Sequence, residues 1–172
     1  LPERPQNIGF PSLFTGYWDP IVQACAETDT AIALHVGSSG GYPTPEASPA
    51  LQLGATMFGQ LSLAACAEWL WSGYPLKYPN LKITMSEGGI GWVAGLMDRL
   101  DHMLSYHEMY GTWKGTDLTP AEVLKRNFWF CAVEDPSAFV QRDRIGIENI
   151  LIESDYPHCD STWPNTQTVT KN

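Results

Sequence analysis

Apolar and polar positions fall into four blocks of one kind along this chain. In each, a stretch with apolar residues near a helical period comes before a short, continuous apolar run. The first block opens at Asp19-Pro20, where Asp19 suits an N-cap and Pro20 the first helical position. Ile21, Val22, Ala24 and Cys25 give this helix an apolar face, and Asp29-Thr30 end it. Ala31 to Val36 (A-I-A-L-H-V) then has the length and character of a buried strand, closed by Gly37. Residues 52–74 predict one largely buried helix, followed by the strand Leu81 to Ser86. Gly91 to Tyr106 is helical again, with Trp92, Leu96, Leu100, Met103 and Leu104 near one face. Thr119-Pro120-Ala121-Glu122 has the pattern of a capping box and starts a short helix before the strand Asn127 to Val133. A short helix over 135–143 and a strand over 149–154 complete the fourth block.

Helix and strand in strict alternation are the rhythm of a parallel sheet with helical crossovers. The fold class expected is therefore α/β. No internal repeat and no low-complexity segment interrupts it. The longest irregular stretch, G-S-S-G-G-Y-P-T-P-E-A-S-P after the first strand, is too long for a simple turn. Long loops at strand ends are often functional. A phosphate cradle is a poor fit, because no Lys follows the glycines and no helix opens on them.

With 172 residues the chain fits one domain, and 44% hydrophobic against 17% charged residues indicates a sizeable core. A net charge of -9 argues against a nucleic-acid or anionic-membrane partner. Cys25, Cys66, Cys131 and Cys159 show no C-x-x-C spacing, and the first three lie in apolar runs, as reduced core cysteines do. There is no signal peptide pattern and no apolar run of spanning length, so the expectation is a cytoplasmic protein with no membrane partner. The chain starts at Leu1 in a loop-like L-P-E-R-P-Q-N and ends at T-V-T-K-N, so both ends look cut.

In parallel α/β folds the site lies at the carboxyl ends of the strands. Those ends carry His35, Glu87, Glu134 or Asp135, and Asp155. The last strand is the densest case: Ile150-Leu151-Ile152 runs into Glu153, Ser154 and Asp155, with Tyr156, His158, Asp160 and Trp163 close behind. A carboxylate at the mouth of a buried strand needs a proton, a cation or a metal beside it. Asp155 alone reads equally well as a cap or turn residue. His35 alone reads as a core histidine with both nitrogens hydrogen-bonded. Their joint occurrence with Glu87 at equivalent strand ends points instead to ligands for a divalent metal. Side chains alternate along a strand, so Glu153 and Leu151 should share the face of Asp155, Met85 and Ile83 that of Glu87, and Ala33 that of His35. Glu153 would then lie one layer below the metal, placed to orient a ligand or hold a proton. His102 and His107 are five apart and do not share a helix face, so they read as surface or interhelical residues.

Three segments together, I-A-L-H-V-G, then M-S-E-G-G-I-G-W with D-R-L-D in the following helix, then I-E-S-D-Y-P-H, resemble the amidohydrolase-related family. The branch is the one that includes aminocarboxymuconate-semialdehyde decarboxylase and the resorcylate decarboxylases. The resemblance runs from about Trp18 to Trp163. It implies a (β/α)8 barrel with one divalent metal, zinc being the expected ion. His35 matches the family's metal ligand at the end of the fifth strand, and Asp155 the one at the end of the eighth. Two departures stand out. The family's first strand carries a His-x-His pair, and this sequence has none. The decarboxylase branch has a histidine for proton transfer where this chain has Glu87. A full barrel needs about 250 residues. The resemblance therefore implies strands five to eight only, a partial barrel of about four parallel strands with outer helices, the C-terminal half of a longer protein.

The function this implies is a metal-dependent hydrolase acting on a small carboxylic acid, amide, ester or lactone. His35 and Asp155 would hold the metal, with Asp155 and Glu87 as catalytic acid-base groups. His158, Tyr42 and Trp163 are the candidate substrate contacts. Non-oxidative decarboxylation at the same metal is the alternative, and a non-catalytic barrel fragment is a second. The partner expected is a small-molecule substrate, with a homo-oligomer left open. A half-barrel has open sheet edges, so Ile83, Met85 and Leu151 would meet water and the chain alone would associate or stay molten.

Overall fold

The computed structural model describes residues 1–109, 111–159 and 161–171; Asp160 lies outside them. The strands are β1 (Ile32–His35), β2 (Ile83–Ser86), β3 (Phe128–Ala132) and β4 (Ile150–Ile152). They form one four-stranded sheet in the order β1-β2-β3-β4, with every pair parallel. The principal helices are α1 (Asp19–Glu27), α2 (Ala50–Thr56), α3 (Phe58–Trp71), α4 (Tyr74–Lys77), α5 (Val93–Tyr106), α6 (Pro120–Asn127), α7 (Arg142–Ile145) and α8 (Thr166–Val169). This is an α/β fold in which sequential strands are neighbours and helices form the crossovers, one arc of a (β/α)8 barrel.

Alternation within the strands separates two faces. Ile32, Leu34, Ile83, Met85, Phe128 and Phe130 are all buried, packed in one core with Trp69 and Leu70 of α3, Met97 and Leu100 of α5, and Val123 and Leu124 of α6. Ala33 and His35 on the other face are exposed, while Thr84 and Ser86 are half-buried. The helices thus cover the outer face, and the concave face is left for chemistry. The expectation that Ile83 and Met85 would meet water is corrected: they are 0% and 1% exposed because they point under the helices. Leu151, at 38%, does lie open.

Three asparagines lock the units at the entry to the strands. Asn80 Nδ2 donates to Ala26 O at 2.6 Å, Asn127 Nδ2 to Leu81 O at 2.6 Å, and Asn149 Nδ2 to Phe128 O at 2.8 Å. Each amide satisfies a carbonyl of the preceding unit, so the start of one strand is tied to the unit before it.

Several local readings change. Residues 52–74 are not one helix: the chain breaks at Met57, with a 47° bend between α2 and α3. α3 buries Ser62, Ala65, Cys66, Trp69 and Leu70, whereas α2 buries nothing, so only the second half follows the sheet. Asp19 is inside α1 and does not cap it. Its carboxylate instead accepts from the Tyr74 hydroxyl at 2.8 Å and the Lys77 ammonium at 2.9 Å. The 135–143 helix is a 3-10 turn, Ala138–Gln141, running into α7. The Thr119–Glu122 capping box forms with both of its bonds. Cys66 and Cys131 are buried, Cys25 is half-buried and Cys159 exposed, all as free thiols. Among the described residues no single helix is long and apolar enough to cross a membrane; the bent α2–α3 pair passes by length and composition, and α3 is a core helix.

Candidate metal centre

β1 delivers His35 to the concave face, in step with Ala33. Its Nδ1 lies 2.9 Å from the carbonyl oxygen of Val36, so the proton belongs on Nδ1 and the Nε2 lone pair turns into the site. β2 ends at Ser86, and Glu87 follows with φ 64°; Asp155, beyond β4, has φ 54°. Left-handed backbone is rare for residues other than glycine and breaks strand alternation. The parity expectation that Glu87 shares a face with Met85 and Ile83 therefore fails. Glu87 swings to the concave side while they stay under the helices.

The result is a compact cluster. His35 Nε2 is 3.2 Å from Glu87 Oε2. His158 Nδ1 is 2.8 Å from Asp155 Oδ2 and 3.3 Å from Glu87 Oε1. One ligand atom each from His35, Glu87 and Asp155 lie within 4.8 Å of one another. The carboxylate side chains are shielded, at 11% exposure for Glu87 and 9% for Asp155, while His35 and His158 remain open at 51% and 57%. Burial pushes the Glu87 carboxyl above its usual range, with the neighbouring Asp155 charge adding to it and the two imidazoles opposing. The hydrogen bond that His158 Nδ1 donates to Asp155 raises the His158 imidazole, and the Asp155 charge does the same.

The loops that carry the cluster are fastened from below. Ser154 O accepts from Ser161 Oγ at 2.7 Å and Thr162 N at 3.1 Å, and Asp155 O accepts from His158 N at 2.9 Å. Glu153, just past β4, accepts the Glu87 N–H on Oε2 at 2.8 Å. The Gly88-Gly89 turn is packed on both sides: a Cβ on Gly88 would collide with the Ser62 side chain, and one on Gly89 with Asp135 Oδ1. Asp135 also accepts the Ile90 N–H at 3.4 Å, which makes it a support of this turn and not a member of the cluster. Glu134 is exposed.

Among the described residues no hydrogen bond or ring contact links Tyr42 to the cluster; it is half-buried in the loop after β1. Trp163 is 62% exposed, and its ring meets Tyr156 edge-on at 5.7 Å. His102 and His107 are exposed on and after α5. Glu3 was missed. It is 2% exposed, its Oε1 has no hydrogen-bond partner among the described residues, and burial pushes its carboxyl up to about 7. No periodicity marks it, because it sits in an irregular leading segment.

The sequence profile of the amidohydrolase family matches residues 4–171. The chain belongs to the amidohydrolase family. No curated protein matches it. Among solved structures, the amidohydrolase chain is similar to an amidohydrolase from Mycobacterium avium subsp. paratuberculosis K-10, with 23% identity, TM-score 0.64, and coverage of 89% of this chain and 39% of that one. It is similar to dihydroxybenzoic acid decarboxylase from Polaromonas sp. JS666, solved with bound manganese and the inhibitor 2-nitroresorcinol, at 20% identity, TM-score 0.67, and 93% and 48% coverage. It is also similar to 5-carboxyvanillate decarboxylase from Sphingomonas paucimobilis, at 21% identity, TM-score 0.67, and 89% and 46% coverage. The chain spans less than half the length of these three structures. At these identities the likeness is one of fold.

The family implies a divalent cation, and the donor set of this amidohydrolase fits one. An imidazole with its remote nitrogen already engaged and two shielded carboxylates facing one point are what such an ion requires. Without a cation the cluster leaves carboxylates crowded together with only imidazoles to offset them.

Proposed function

We propose that this amidohydrolase-family chain carries the cation-binding part of an enzyme that decarboxylates a small carboxylic acid without oxidation. The carrying observation is the convergence of His35, Glu87 and Asp155 at the carboxyl edge of the sheet with His158 beside them. Two of the similar structures are named for the decarboxylation of phenolic acids, which supports a substrate of that type.

His35 Nε2 and Asp155 would hold the cation, which when bound supplies Lewis-acid attraction for substrate oxygens. Asp155 also fixes the His158 ring through Nδ1. That leaves Nε2 of this half-open side chain to meet the substrate. In decarboxylation the carbon–carboxylate bond breaks, its electron pair stays on carbon, carbon dioxide leaves, and a proton takes its place. His158 is the group positioned to carry that proton. The shielded carboxylates orient and repel: they favour a substrate whose carboxylate faces the cation and the open imidazoles.

Hydrolysis of an amide, ester or lactone is a second reading. It is favoured by Glu87, a carboxylate where the resemblance leads one to expect a histidine. Product analysis separates the two. The full protein, loaded with manganese or zinc, is incubated with hydroxybenzoic acids and with small amides and lactones. Release of carbon dioxide from the acids supports the proposal; cleavage of the amides or lactones alone replaces it with hydrolysis. Inactivity on both, with no cation bound, would remove it.

A further inference from the structure

The geometry points to Glu87 as a third protein ligand of the cation, aimed at it by Glu153. This rests on the reading of His35 and Asp155 as the metal pair. A group that exchanges protons with substrate should present a free oxygen to the opening. Glu87 does the reverse. Its side chain is 11% exposed, with Oε2 turned to His35 Nε2 at 3.2 Å and Oε1 to His158 Nδ1 at 3.3 Å. One of its oxygens sits with the donor atoms of His35 and Asp155 inside a 4.8 Å span, which one ion closes with small side-chain movement. Metal–oxygen and metal–nitrogen bonds of about 2.0–2.2 Å put donors of one ion about 3–4 Å apart.

The backbone is arranged for that purpose at a cost. φ 64° turns Glu87 off the outer face. Its N–H points across the concave side of the sheet. Glu153 Oε2, at the carboxyl end of β4, takes that N–H at 2.8 Å across β3. On the other flank Gly88 lies against Ser62 with no room for a side chain. The left-handed turn is thus held from two sides, and Glu153 is a positioning residue. Glu153 thus brings a third carboxyl group to the side of Glu87 and Asp155, an arrangement that a bound cation would favour.

The test is binding of manganese and zinc alone to the full chain, by titration calorimetry, with thermal melts to verify folding. Asp155→Ala, Glu87→Gln, Glu87→Ala, Glu153→Gln and Glu153→Ala are compared. Glu87→Ala should weaken the metal by about a hundredfold or more, and isosteric Glu87→Gln by at least about tenfold. Glu153→Ala should weaken it about 10–100-fold through lost orientation. Glu153→Gln keeps an oxygen to accept the Glu87 N–H and should stay within about threefold. In cobalt-loaded protein the visible absorption should shift in Glu87→Gln and be retained in Glu153→Gln. Wild-type affinity in folded Glu87→Gln and Glu87→Ala would overturn the ligand role. Wild-type affinity in Glu153→Ala would overturn the positioning role. If the wild type binds neither metal, or Asp155→Ala leaves affinity unchanged, the proposed metal pair fails instead, whatever the other variants do.

Discussion

Glu87 and Asp155 are both non-glycine residues in left-handed backbone, φ 64° and 54°, and each lies just past the carboxyl end of its strand. The two conformations are not equivalent in cost. Aspartate tolerates the region through its short polar side chain, whereas glutamate carries the full penalty of about 1–2 kcal/mol. In the metal-free protein, Glu87→Gly should raise stability by about 1 kcal/mol. It also removes a partly shielded carboxylate beside Asp155. The same change should abolish tight metal binding. Urea denaturation of both proteins in chelator, paired with a metal titration, checks this. A destabilised Glu87→Gly would mean that the turn is not strained.

Much of the architecture was readable from periodicity. Four apolar runs, each preceded by a helical pattern, led to four parallel strands in sequential order. The strand-end residues His35, Glu87 and Asp155 were readable as a set because parallel strands bring their carboxyl ends together. How Glu87 arrives there was not readable. Alternation is a rule about extended backbone, and one residue at positive φ cancels it. The Met57 break was hidden for a related reason: α2 and α3 share composition, and only tertiary packing separates them. The edge-on packing of Trp163 against Tyr156 was not readable either, because it depends on how the loop after β4 folds back.

The asparagine locks give a stability ranking. Asn149 is 1% exposed and donates to Lys125 O at 2.7 Å and Phe128 O at 2.8 Å. Asn127 is 0% exposed and donates to Leu81 O at 2.6 Å and Pro79 O at 3.2 Å. Truncating either leaves two carbonyls without a partner, a loss of about 2–4 kcal/mol. Asn80→Ala loses one bond at an exposed residue, about 1 kcal/mol. Chemical denaturation of the three alanine variants should give Asn149 and Asn127 together, well below Asn80. Equal effects at all three would show that the bonds are incidental.

Glu3 should make stability depend on pH. Its folded carboxyl titrates at about 7 against an ordinary 4.5. A raised folded value means that the folded state holds the proton longer than the unfolded one. Its contribution is therefore fully present below about pH 4.5 and is lost as pH rises toward about 7, reaching about 3 kcal/mol. Glu3→Gln, neutral at all pH, should lack this slope. Unfolding free energies of both proteins at pH 5 and pH 8 test it: the wild type should fall relative to the variant at the higher pH. Parallel curves would assign the buried Glu3 an ion-pair or solvent partner.

The β4 edge should drive self-association of the 172-residue chain studied alone. β4 pairs with β3 on one side only among the described residues, and its side chains stay open, with Leu151 38% and Ile152 49% exposed. An unpaired edge with apolar side chains is a template for another strand. A lysine on such an edge opposes docking, because pairing would have to strip water from its ammonium group. Leu151→Lys and Ile152→Lys change exposed positions, so neither should unfold the core that Phe128, Phe130 and Met85 make with the helices. Sedimentation at increasing concentration should show mass growing for the wild type and held at the monomer value for the double variant. A wild type that stays monomeric at high concentration, with a sharp cooperative melt, would show that the edge is protected as it stands.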